Sequence, residues 1–211
     1  MPARPSDQPL NASEPPYRQV RAVHDDATIT VYQAYKPGIA LDAIRLGRFS
    51  PSYDRSRMTW IKPSFLWMMY RSGWAAKPDQ GHVLAITLRR DGFEAALAQA
   101  ALSHYDPALH AGQADWAAAA KKAPVRIQWD PERDIHLRAL GHRAIQVGIS
   151  GSAVDVYCDS WITGIDDATA LAHRIHALIR EQKYDEAHEL LPAEKPYPLP
   201  VDLAATIGAS R

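Results

Sequence analysis

Three tryptophans spaced seven residues apart, Trp60, Trp67 and Trp74, do more than any other feature to limit what this chain can fold into. They lie in the run Arg57–Trp74, RMTWIKPSFLWMMYRSGW, with three of the four methionines and the cations Arg57, Lys62 and Arg71. With Tyr70 and Arg71 they fit the i, i+3, i+4, i+7 spacing of one helical face. Pro63 suits a first helical turn and Gly73 the residue after its end, so the spacing predicts a short helix over Ser64–Ser72. Its apolar face reads as core, since aromatic stripes at helical spacing are usually packing. The polar residues Arg57, Thr59, Lys62, Ser64 and Arg71 flank that face, and a cationic, hydroxyl-bearing helix start is a physically sensible seat for a phosphate.

The rest of the chain reads as a mixed α+β fold. Ala27–Tyr35 carries β-branched and aromatic residues behind the Asp25-Asp26 turn and predicts the first strand, with Gln33 and Tyr35 on one side of its end. A short amphipathic helix follows over Gly38–Arg48 with Gly47 as its stop. His82–Arg90 alternates as a strand with both faces covered, and the alanine-rich stretches Gly92–Leu102 and Gln113–Lys122 predict helices. Val125–Asp134 is a strand ending in a charged turn, and His136–His142 is a link. Arg143–Ser150 is the last strand the pattern supports. Ala153, Val154, Tyr157, Cys158, Trp161 and Ile162 then mark a buried helical face. A final helix, capped by Asp166 or Asp167, runs to about Gln182. Lys195–Pro200 should be extended along the surface. Residues 1–16, rich in proline and polar groups, and 201–211 read as tails around one domain over 17–200.

Composition narrows the function classes. Twenty-four basic residues balance twenty-four acidic ones, so no global field draws the chain to nucleic acid, and any basic surface is local. The one cysteine, Cys158, fits a reducing compartment, and its apolar helix face predicts an inert thiol. With no apolar leader pattern and no run long enough to cross a bilayer, a soluble, cytoplasmic protein is expected. No phosphate-loop, dinucleotide, nucleophile-elbow or zinc-protease motif is present. His173 and His176 share a helix face without a third ligand at a recognisable spacing, so no metal is expected.

Two groups of polar residues remain. Asp130, Glu132, Arg133 and Asp134 crowd a strand end and read equally as catalytic groups or as a salt-bridged turn. Gln146, set between Ile145 and Val147, places an amide inside a strand, where it is either a hydrogen-bonding hub or a ligand contact. Gln33 poses the same choice.

The segments VYQAY, RMTWIKPSFLWMMYRSGW, VRIQWDPERD and AIQVGISGSAV resemble the bacterial and fungal family filed as domain of unknown function 4291, from about Arg21 to Leu199. The layout of strands and motifs also resembles the ADP-ribosyltransferase and RNA 2'-phosphotransferase fold. That resemblance implies a single α+β domain with a small split, mixed or antiparallel sheet flanked by helices, which holds NAD or an ADP-ribosylated intermediate. It would put Gln33 and Tyr35 at the first motif and Thr59, Trp60, Lys62 and Ser64 at the second. The third would be Gln146 or a carboxylate from Asp130 or Glu132. No H-G-T follows the first strand. On this reading Arg57, Lys62 and Ser64 clamp the pyrophosphate, Trp60 or Tyr35 walls the nicotinamide, and Glu132 or Gln146 meets the ribose. The implied activity is NAD-dependent transfer of ADP-ribose, with nucleic acid among the acceptors the chemistry admits. A non-catalytic RNA- or DNA-binding module using Arg55, Arg57, Lys62 and Arg71 on phosphates is the competing expectation.

Overall fold

The two glycine stops read from the sequence end two helices in the computed structural model, which describes residues 15–210. Gly47 and Gly73 adopt φ of 65° and 60°, a left-handed backbone that costs glycine little. In chain order the elements begin β1 (Arg21–Ala22), β2 (Thr28–Tyr35), α1 (Pro37–Leu46), β3 (Thr59–Ile61), α2 (Phe65–Ser72) and β4 (His82–Arg89). They continue with α3 (Arg90–Ala98), β5 (Ala100–Leu102), α4 (Gln113–Lys122), β6 (Val125–Arg133) and β7 (Ala139–Ile149). After α5 (Ser152–Val156) the chain runs into a π-helical turn, Tyr157–Trp161. Then come β8 (Ile162–Asp167), α6 (Thr169–Arg180), α7 (Tyr184–Glu189), β9 (Lys195–Pro196) and α8 (Val201–Ile207).

The architecture is mixed α+β with three small sheets. β2, β4 and β8 form an antiparallel sheet in the order β2-β4-β8, and β3-β7-β6-β5 form a second in which only β5 pairs parallel. β1 and β9 make a two-stranded ribbon. One apolar core lies between the main sheets: Ile29, Leu84, Ile86 and Leu88 from the first meet Ile61, Ile127, Val147 and Ile149 from the second. The other face of β4 carries Val83 into a second core with Phe65, Met68 and Met69 of α2 and with Ile175 and Leu178 of α6. The middle strand is therefore covered on both faces, as its alternation predicted.

Several boundaries move. The helix expected over Gly92–Leu102 ends at Ala98, and Ala100–Leu102 is β5, because alanine's helix preference is only a few tenths of a kcal/mol and pairing to β6 outweighs it. The expected link over His136–His142 gives way at Ala139 to β7, and Ile162 leaves the helical face to start β8. β8 was illegible as a strand: Gly164, Asp166 and Asp167 are disfavoured in strands and offset Ile162, Thr163 and Ile165, and the segment survives at a sheet edge. Asp167 does serve α6, the helix expected to be final, its Oδ1 accepting from the Thr169 N–H at 2.8 Å, and α7 and α8 follow it. Tyr197 is buried rather than lying along the surface, and its hydroxyl reaches Glu94. The stretch expected as a C-terminal tail carries α8, whose Ile207 is fully buried. Residues 1–14 of the expected N-terminal tail and Arg211 lie outside the described residues.

Gly92 shows how tightly α3 seats. A Cβ there would meet Cδ1 and Cγ of Trp161 at 2.4 Å. Replacing a helical glycine by alanine ordinarily gains up to about 1 kcal/mol, whereas overpacking a core costs about 1–3 kcal/mol. Gly92→Ala is therefore expected to destabilise the protein, read as a lower urea midpoint at unchanged slope; a raised midpoint would contradict this packing.

Candidate functional site

The main sheets touch where β2 meets β3. Tyr32 N–H donates to the Lys62 carbonyl at 2.7 Å, and Lys62 N–H returns to Tyr32 at 3.2 Å. Beside this bridge the Gln33 amide is buried, which obliges it to find partners. Its Nε2 donates to Thr59 Oγ1 at 2.6 Å and to the Trp60 carbonyl at 3.2 Å, while its Oε1 accepts from the Tyr157 hydroxyl at 2.8 Å. Tyr157 is delivered by the π-helical turn, a local widening of the helix that often marks a specialised position. Thr59 Oγ1 also accepts from the Tyr53 hydroxyl at 2.7 Å and lies 3.3 Å from that of Tyr35, which in turn sits 3.1 Å from Tyr53. The three hydroxyls can donate round a ring. Burial pushes the pKa of Tyr35 and Tyr157 well above the ordinary tyrosine value, so both remain neutral donors.

Over this joint opens a cleft of about 870 Å³. Gln33, Tyr35, Arg57, Thr59, Trp60, Lys62 and Gln146, seven of the expected site residues, line it together. Trp60 is half-buried, opposite Gly148 on β7, and a Cβ on that glycine would come within 2.9 Å of the indole. The absent side chain lets the ring lie against β7. Gln146 on β7 pairs in register with Gln128 on β6, and both amides donate to Asp130, Gln146 at 2.6 Å and Gln128 at 2.9 Å. Asp130 thus orients two cleft amides from behind without lining the cleft itself.

The cleft is cationic. Lys36, Arg57, Lys62 and Arg71 contribute to its walls against Asp54 and Asp79. Arg57 is exposed and takes part in none of the ion pairs among the described residues, and Arg71 donates only to the Gln80 side chain, at 3.1 Å. Lys62 differs from these arginines. It is 6% exposed, its Nζ donates to the Trp60 carbonyl at 3.1 Å, and it stands 5.4 Å from the Trp67 ring. Desolvation, helped by Arg71 and opposed by Asp130, pulls its pKa down to about 7.

Ser64, Glu132 and Asp130 do not line the cleft. The start of α2, expected as a phosphate seat, is already filled by protein. Ser64 caps it by accepting from the Trp67 N–H at 3.1 Å and donates to Glu132 at 2.8 Å. The Phe65 N–H is taken by the Glu194 carboxyl at 2.6 Å. Burial drives the Glu194 pKa up to about 8, and that of Glu132 upward as well. The cationic run also divides: Arg55 is held by Asp155 and Asp159, and Trp67 and Trp74 are buried, Trp74 stacking flat on His176 at 5.2 Å. Burial raises the Cys158 thiol to about 11. Sequence reasoning missed Tyr53, Tyr157, Gln128 and Glu194. Gln128, in VRIQWDPER, repeats the signal that singled out Gln146, an amide flanked by apolar strand residues.

Fold and site together define a mixed α+β protein with a polar, cationic cleft over the junction of two sheets. A family model described as Domain of unknown function (DUF4291) matches residues 19–197, so the chain belongs to that family. No curated protein matches it significantly.

Lys62 sets a pH dependence. Between about 7 and its ordinary value of 10.5 the unfolded chain holds a proton that native Lys62 has released, so this group makes stability rise with pH across that window. Glu194 works oppositely: from 4.5 to about 8 the native carboxyl holds the extra proton, and its contribution falls as pH rises. Lys62→Met is expected to be more stable than wild type below pH 7, with the difference shrinking toward pH 10.5, by urea denaturation across that range. A constant difference would show Lys62 charged in the native state.

Proposed function

We propose that the cleft binds NAD and that the protein is an ADP-ribosyltransferase-like enzyme. One observation carries the reading: Gln33 from β2, Thr59 and Trp60 from β3, and Gln146 from β7 meet around a single cleft. These are the positions at which the resemblance to that fold sets its three motifs. Breaking the nicotinamide–ribose bond develops positive charge on the ribose, so the site needs an acceptor beside the sugar, an aromatic wall and an anion clamp. Gln146 gives its Nε2 to Asp130, which leaves its carbonyl oxygen for a ribose hydroxyl. Trp60 offers a ring face to the nicotinamide. Arg57 and Arg71, rather than Lys62 and Ser64, serve the pyrophosphate, because guanidinium groups keep their charge and present paired donors to phosphate. Gln33, Thr59 and Tyr35 hold the floor beneath.

The nucleic-acid module finds less support. Such modules stack bases on accessible aromatic rings, and Trp67 and Trp74 are in the core.

A ligand specific to the native state raises stability by mass action. NAD is expected to raise the melting temperature of the wild type in a concentration-dependent way and to leave the Arg57→Ala/Arg71→Ala double variant unmoved. A wild type indifferent to NAD would defeat the proposal.

A further inference from the structure

We propose that Lys62 is a nucleophilic amine in this cleft, one that forms an imine with a phosphorylated aldehyde. Lysines used for covalent catalysis sit desolvated among few counter-charges, beside a space the substrate can enter. Lys62 meets each condition. It lines the cleft, its Nζ lies 3.1 Å from the Trp60 carbonyl, and it takes part in none of the ion pairs among the described residues. That carbonyl also receives Gln33 Nε2, so it holds the amine from the protein side by accepting an N–H. A neutral amine keeps its lone pair when it donates, and the pair is left for the cleft.

The charged groups acting on Lys62 are Arg71 from α2, which disfavours the ammonium form, and Asp130 from β6, which favours it. The Trp67 ring centroid lies 5.4 Å from the Nζ. With desolvation dominant the free amine is populated near neutrality, where an exposed lysine is almost wholly protonated. The aldehyde's second group follows from the walls: Arg57 and Arg71 supply guanidinium donors suited to a phosphate.

The step balances without a co-reactant. The Nζ lone pair attacks the carbonyl carbon and the C=O π pair moves to oxygen. A proton passes from nitrogen to oxygen, giving the carbinolamine. Protonation of the hydroxyl and loss of water break the C–O bond, and loss of the remaining nitrogen proton leaves a neutral imine. The reaction does not involve NAD, so it stands or falls apart from the reading above.

Pyridoxal phosphate is the probe, with borohydride reduction to fix the imine and peptide mapping to locate it. Near neutral pH the Lys62 peptide is expected to be labelled on the order of a hundredfold faster than the exposed Lys121 and Lys122. Benzaldehyde, which lacks the phosphate, should label Lys62 more slowly. The Arg57→Ala/Arg71→Ala variant should lose the advantage of the phosphate, so that the two aldehydes label Lys62 at similar rates. An unmodified Lys62, or one labelled no faster than Lys121 and Lys122, overturns the proposal. Equal labelling by the two aldehydes in the wild type overturns the assignment of a phosphorylated substrate. Mapping the wild type decides the first point without any variant.

Discussion

The buried amide of Gln33 is the joint on which the two main sheets depend. An amide in a core costs about 1–3 kcal/mol for each group left unpaired, so its three partners are obligations of the fold. Thr59 and the Trp60 carbonyl come from β3, and Tyr157 comes from the π-helical turn, so one side chain binds three elements far apart in sequence. With Thr59 fixed, the ring of hydroxyls through Tyr35 and Tyr53 follows, and so does the direction of β3. Trp60 and Lys62 are then set on the cleft by the same few bonds that hold the sheets together. The floor of the site and the junction of the fold are one structure.

The polar groups near α2 divide into two systems with different electrostatics. At its start, the free N–H groups of the first turn need acceptors, and the Ser64 hydroxyl and the Glu194 carboxyl satisfy two of them. That arrangement ties the segment before β9 to the core and removes the helix start as an anion site. In the cleft the balance is cationic, with Arg57 and Arg71 exposed on its walls, while desolvation weakens the hold of Lys62 on its proton. The anchoring role and the nucleophilic role proposed above would fall to different cations of one cleft.

Much of this was legible in the sequence and some could not have been. The helix expected over Ser64–Ser72 from the aromatic spacing, Pro63 and Gly73 runs over Phe65–Ser72 with Ser64 as its cap, because such signals act locally. Gln33 and Gln146 stood out because an amide inside an apolar strand must be paired somewhere, and the structure gives Gln33 the hub and Gln146 a place on the cleft. Glu194 sends no such signal: it sits in a polar, proline-flanked stretch and reaches Phe65 across 129 positions of chain. Lys62 was visible as a cation, but its charge state depends on burial by residues from other elements. β8 escaped because an edge strand can be built from ITGIDD once β4 offers it a ladder.

On the function proposed, the junction of the sheets is a ligand site with Trp60 and Gln146 on its walls. Nitrogen-detected titration of the six tryptophan indoles and the glutamine side-chain amides with NAD tests it directly. The Trp60 indole and the amides of Gln146 and Gln128 are expected to shift together, while Trp67 and Trp74 stay in place. Resonances that do not move, or shifts confined to tryptophans away from the cleft, would contradict it.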